Sequence, residues 1–288
     1  MRVDRQQSPG VLESYVLSGP DAEVRLVPSR GGLVTHWQVR GESLLFLDEA
    51  TLLDPTKNVR GGIPLLFPNA GPLPPSGATF AGRTITQPQH GLARTSAWSV
   101  VQAIADDDTA RVELLLTSTE QTKQGFPFDF ESRLACSLSE TDLTLEWAFT
   151  NTGDGPMPLH AGLHPYFTVP VAQKALARVP TSAAQLKDRR SGEVRPMSAI
   201  RFDEGEPDVA FLEHGPAATL LRGDGARIEL SSTPQLSTLV VWTLPGQPFV
   251  CVEPWTAPGG ALASGAGLLT VAPKTTEALA VRFRFVPR

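Results

Sequence analysis

Apolar and polar residues alternate along much of this chain with the two-residue period of a β-strand. Leu143, Leu145, Trp147 and Phe149 interleave with Thr144, Glu146, Ala148 and Thr150, and towards the end Leu279, Val281, Phe283 and Phe285 alternate with Arg282 and Arg284. A strand sends successive side chains to opposite faces, so each of these segments offers one apolar face to a core. Shorter stretches, Val11 to Leu17, Glu23 to Val27, Leu33 to Val39 and Ser43 to Leu47, are separated by Gly-Pro-Asp, Ser-Arg-Gly-Gly and Arg-Gly-Glu, the punctuation of antiparallel sheet. Further strands are predicted from Trp98 to Ala103, from Arg111 onward, through Cys136, and from Ser237 to Thr243 and Phe249 to Trp255, the last two joined by a hairpin-like Leu-Pro-Gly-Gln-Pro. Near the strands that follow Arg111, Ser118 to Gly125 is the one segment that reads as a helical turn, and Arg178 to Arg201, with mixed charge and little periodicity, reads as surface loops and short strands. The expectation is an all-β chain with few short helices.

Composition sharpens this picture. The 25 Gly and 26 Pro in 288 residues imply many turns, and a β-rich chain of this length is expected to form one domain spanning 1–288. The net charge of −5, without a run of Lys or Arg, argues against nucleic acid or anionic lipid as a partner. The first residues lack the apolar core of a signal peptide and no run of about 18 apolar residues occurs, so no membrane span and a cytoplasmic location are expected. Cys136 and Cys251 are expected to be free, buried thiols.

Candidate chemistry concentrates in a few segments. His160 to Val169 holds two of the five histidines and two aromatic residues directly after the best-patterned strand and its turn. The segment from Arg60 through Gly-Gly-Ile-Pro-Leu-Leu-Phe-Pro is too rich in Gly and Pro for a helix and too apolar for a solvated loop, which suits the wall of a binding site. His90 and Arg94 share a turn that could bind hydroxyls or an anion, or cap backbone carbonyls. Glu253, closing Phe-Val-Cys-Val, meets an apolar neighbourhood that raises a carboxyl pKa and makes it a candidate base. Asp208, in an acidic turn after Pro207, reads on pattern alone as a solvated carboxylate. No dinucleotide or phosphate-loop motif occurs, and no cofactor is expected. His160 with His164 is the sole hint of a metal, and four residues of extended chain separate them by roughly 13 Å, so no metal site is assigned.

Together, Arg60-Gly-Gly-Ile-Pro-Leu-Leu-Phe-Pro, His90-Gly-Leu-Ala-Arg94, His164-Pro-Tyr-Phe and Phe249-Val-Cys-Val-Glu253-Pro, in this order, resemble the aldose 1-epimerase (galactose mutarotase-like) superfamily, and within it the bacterial branch near the hexose-6-phosphate mutarotases. The resemblance spans about residues 20 to 285 and implies a large antiparallel β-sandwich. It further implies that His164 is the general acid and Glu253 the general base. On the same resemblance Arg60 and His90 bind sugar oxygens, Arg94 lines the site, and Asp208, with Asp203 as rival, supplies the acidic contact; His160 has no counterpart. The implied activity is interconversion of the α and β anomers of an aldose, or of its 6-phosphate, by a monomer or homodimer. A phosphate would call for converging cations, for which Arg60, Arg94, Arg83 and Lys123 are the candidates. The rivals from other classes are a non-catalytic carbohydrate-binding protein and a glycoside hydrolase, the latter needing paired carboxylates of which only Glu253 is well placed.

Overall fold

The computed structural model describes residues 1–7 and 12–288. Three antiparallel sheets make up the body. A five-stranded sheet runs in chain order through Arg2–Gln6, Ser14–Ser18, Ala22–Val27, Leu33–Val39 and Glu42–Ser43. The start of the first expected strand, at Val11, lies outside the described residues. The expected strand from Ser43 to Leu47 is shorter than its pattern: beyond Ser43 only isolated bridges persist, Leu45 to Phe167 and Leu47 to Gly61. These residues leave the sheet to pair with the segments that build the site.

The seven-stranded sheet is centred on Asp142–Asn151, flanked by Phe130–Ser139 and by the long terminal strand Thr276–Val286. Their register sets Leu145 against Val281 and Trp147 against Leu279, which places both predicted apolar sets on one face. Arg282 and Arg284 stand on the other face and pair with Asp142. The expected helical turn is the short helix Glu120–Lys123, started by a reciprocal pair of bonds between Thr119 and Thr122.

The third sheet carries the cavity described below. Its order is Val194–Pro196, Gln185–Asp188, Asp208–Phe211, Thr238–Trp242, Phe249–Trp255, Gly162–Leu163 and Leu65–Leu66, with Tyr166–Thr168 also paired to Phe249–Trp255. All seven residues of Phe249–Trp255 are buried, so both faces are covered, unlike the half-solvated sheet around Asp142–Asn151. Val209, Leu239, Val241, Val250 and Val252 belong to the main core, which joins residues of all three sheets, and Phe167 meets Phe283 of the seven-stranded sheet at 5.7 Å between ring centroids. The opposite face reads, across neighbouring strands, Asp208, Trp242, Cys251 and Tyr166 in one row and Ala210, Val240 and Glu253 in the next. Period-two geometry thus separates core from site within the same strands.

Candidate active site

A cavity of about 360 Å³ opens on that second face, lined by Arg60, His90, Arg94, His164, Asp208 and Glu253 together with Asn58, Val59, Gln89, Tyr166, Arg189, Glu206 and Trp242. All six residues singled out from the sequence therefore meet in one place. Two loops deliver the cationic and imidazole groups to the sheet. The Arg60 segment is laced to the His164 segment by backbone bonds from His164 N–H to Pro64 O (3.0 Å) and from Tyr166 N–H to Gly62 O (2.9 Å). A Cβ on Gly62 would stand 2.3 Å from Val34 O, so the approach of this loop to the first sheet requires glycine.

His90 and Gly91 both adopt left-handed backbone angles, φ 70° and 72°, and a Cβ on Gly91 would collide with Phe67 O at 2.2 Å. The turn is fixed by His90 N–H to Gly71 O (3.0 Å) and by Gly71 N–H to His90 Nδ1 (3.1 Å). With Nδ1 occupied as an acceptor, the neutral ring carries its proton on Nε2, which is thereby a donor. Burial, with help from the positive charges of Arg94 and Arg189, pushes His90 down to about 3, so the ring is neutral over the ordinary pH range. His160 is locked in a different way: Ala70 N–H reaches its Nδ1 at 3.4 Å and its Nε2 faces Ala257 O at 3.0 Å. Both ring nitrogens are spent on backbone, which leaves His160 a structural tie outside the cavity lining.

At the base of the cavity His164 Nε2 lies 3.5 Å from Glu253 Oε1. His164 is held in plane by Tyr166, stacked at 4.7 Å and 11°, and by the edge of Trp242 at 5.8 Å. Burial is the first cause that lowers the His164 pKa well below its usual value, followed by the neighbouring His90, Arg94 and Arg189. Burial is also the first cause that raises Glu253, to about 8, against the opposing pull of Arg189, the Trp255 N–H and Arg94. Both directions favour a neutral pair with a single proton, carried by the carboxyl group. A general base Glu253 and a general acid His164, as the resemblance implies, would act as carboxylate and imidazolium; the substrate-free pair differs, because desolvation disfavours both charges at once. The proton count of the pair is the same in either arrangement.

Arg189 is the main residue that sequence reading missed. It follows Gln185–Asp188 in a stretch read as loosely structured surface; its guanidinium pairs with Asp208 at 2.5 Å and lies 4.7 Å over the Trp255 ring. Asp208 itself begins the strand Asp208–Phe211 and faces the cavity, which corrects the solvated-turn reading. Its rival Asp203 pairs with Arg201 and is not among the lining residues. Arg83 and Lys123 are also set aside as anion ligands: Arg83 donates to Pro127 O and Lys123 pairs with Asp129, both away from the cavity. Arg60 and Arg94 line the cavity with no carboxylate partner within 4.0 Å among the described residues. Cys251 lies on the same sheet face with its Sγ within 4.8 Å of ligand atoms of His164 and Glu253, but burial holds the thiol well above its usual pKa. A protonated thiol is a poor metal ligand.

The geometry of an imidazole, a carboxyl group and unpaired guanidiniums around one sugar-sized cavity agrees with the comparison against known proteins. A family model for aldose 1-epimerase matches residues 13–282. The chain belongs to the aldose 1-epimerase family. Over 180 residues it is 33% identical to a Cenchrus ciliaris protein provisionally named glucose-6-phosphate 1-epimerase, a match covering 57% of this chain and 49% of that one. The chain thus spans about half the length of the curated relatives it matches. The crystal structure of the Slr1438 protein from Synechocystis sp. PCC 6803 superposes with a TM-score of 0.88 at 33% identity, covering 99% of this chain and 95% of that one. A galactose mutarotase-like protein from Clostridium acetobutylicum shares the fold at 18% identity, with a TM-score of 0.85 over 100% of this chain and 99% of that one. The fold shared with these structures is the arrangement of antiparallel sheets described above. Among the described residues, no helix is long and apolar enough to cross a membrane.

Proposed function

We propose that this chain is an aldose 1-epimerase that interconverts the α and β anomers of a hexose 6-phosphate. The observation that carries the reading is the 3.5 Å approach of His164 Nε2 to Glu253 Oε1 at the base of the cavity, since anomerisation needs one group to take a proton and another to give one. Sugar hydroxyls that donate to Glu253 Oε1, which has no hydrogen-bond partner among the described residues, stabilise the carboxylate and pass its proton to His164. Glu253 then removes the proton from the C1 hydroxyl while His164 protonates the ring oxygen. The hemiacetal C1–O5 bond breaks, the free aldehyde turns about C1–C2, and closure on the other face reverses both transfers. One proton resides on the pair before and after, and no electrons are gained or lost. Arg60, His90 and Asp208 bind sugar oxygens in this reading.

Phosphate on the sugar is favoured by Arg60 and Arg94, two guanidiniums that line the cavity without a carboxylate partner among the described residues, and by the names of the curated relatives. Unphosphorylated hexose is the second reading, supported by Asp208 and Glu206, whose carboxylates suit hydroxyl donors. A purely carbohydrate-binding protein has no use for a one-proton pair, and a glycoside hydrolase needs a second working carboxyl group, whereas the other two in the cavity, Asp208 and Glu206, are tied up by Arg189 and Arg190. We further propose a single functional unit over 1–288, acting in the cytoplasm as a monomer or homodimer. The reading is tested by magnetisation exchange between the anomeric protons of glucose 6-phosphate and of glucose. Exchange of the phosphate at least about tenfold faster, or 1.4 kcal/mol, supports it; no acceleration of either sugar would overturn it.

A further inference from the structure

Trp255 touches neither the cavity nor solvent, yet three groups of the site, and His160 behind them, converge on it. Its Nε1 lies 3.2 Å from Glu253 Oε2, its ring is capped by Arg189 at 4.7 Å, and the edges of His90 and His160 meet it at 5.9 and 6.1 Å between centroids. The slot is shaped for an indole: at Gly162, on the neighbouring strand, a Cβ would lie 2.5 Å from Trp255 Cδ1, the atom bonded to Nε1. Glu253 and Trp255 are two residues apart on one strand and so share a face.

The indole nitrogen only donates. An oxygen that already receives an N–H is a poor site for a second hydrogen, so the carboxyl proton is confined to Oε1, the oxygen beside His164 Nε2. We propose that Trp255 is a positioning residue of the reaction: its N–H ties down Glu253 Oε2 and commits Oε1 alone to proton exchange with the sugar and His164. The same bond stabilises the carboxylate, one of the influences opposing the burial that raises Glu253. Arg189 lies over the ring while pairing with Asp208 and lining the cavity, so the wall that contacts the sugar also packs the donor. The proposal rests on the acid–base reading above.

Trp255→Phe keeps most of the ring and removes the N–H. Loss of a hydrogen bond to a charged group predicts a fall in kcat of about tenfold or more with KM for glucose 6-phosphate within about threefold. It also moves the alkaline limb of the rate profile, near 8 in the wild type, upward by about one unit. General loosening of the fold lowers the rate without moving that limb upward. A folded variant, by circular dichroism, with the wild-type rate and limb overturns the proposal, and if Glu253→Gln is inactive in the same assay the acid–base reading survives. A fully active Glu253→Gln would instead remove the reading itself. Should Trp255→Phe not fold, the wild type supplies the test. Of its five indole N–H resonances, one is expected to move downfield with a midpoint near 8 and to stand still in Glu253→Gln; no such resonance overturns the proposal.

Discussion

His164 Nε2 and Glu253 Oε1 face each other at 3.5 Å although 89 positions separate them in the chain, one from the short segments beside Phe249–Trp255 and one from that strand itself. Burial drives the histidine down and the glutamate up, so the pair holds one proton across the neutral range. An anomerase needs that occupancy, because a doubly protonated pair has no base and an empty pair has no acid.

The rate should therefore follow a bell in pH. The alkaline limb falls near 8, where the pair loses its proton, and the acid limb lies below the ordinary histidine value, where His164 gains one. Initial rates from pH 4 to 10, corrected for the spontaneous reaction, measure it. An alkaline limb that persists in Glu253→Gln would assign that limb to another group.

Burying Glu253 also costs stability, with a definite sign. Its folded pKa is raised from 4.5 to about 8, so the native state binds the proton more tightly and stability declines as pH rises through that window. Glu253→Gln removes the penalty. The variant should be more stable than wild type at pH 8, by up to about 4 kcal/mol, and near parity at pH 4.5. Thermal unfolding at the two pH values checks this, and a pH-independent difference would contradict the desolvated carboxyl.

Arg94→Gln should separate the two substrates. A lost charge-assisted contact to phosphate raises KM for glucose 6-phosphate by about ten- to a hundredfold, while glucose changes by less than about threefold. Equal effects on both sugars would place Arg94 against the pyranose ring instead. Steady-state anomerisation kinetics distinguish the outcomes.

How much of this was legible in the sequence varied with the kind of interaction. Leu143 to Thr150 and Leu279 to Phe285 announced their strands because side-chain period and burial coincide. Glu253 stood out because a carboxylate at the end of an apolar run has few ways to stay solvated. Arg189 gave no comparable signal: its role arises from a pairing with Asp208, across adjacent strands, and from stacking on Trp255, neither of which leaves a local pattern. The same holds for the proton inventory of His164 and Glu253. Residue types suggested the pair, and only their shared burial indicates where the proton rests. Arg83 and Lys123 show the converse error, since charge alone does not tell which cations converge.

Glu253→Gln, followed by magnetisation-exchange NMR on glucose 6-phosphate, separates proton transfer from binding. The shape of the site is preserved and one proton acceptor is removed. The catalysed exchange rate is expected to fall by a factor of about 10² to 10⁴, with the dissociation constant for the sugar within about threefold. A variant that exchanges the anomers within about threefold of the wild-type rate would contradict the acid–base reading.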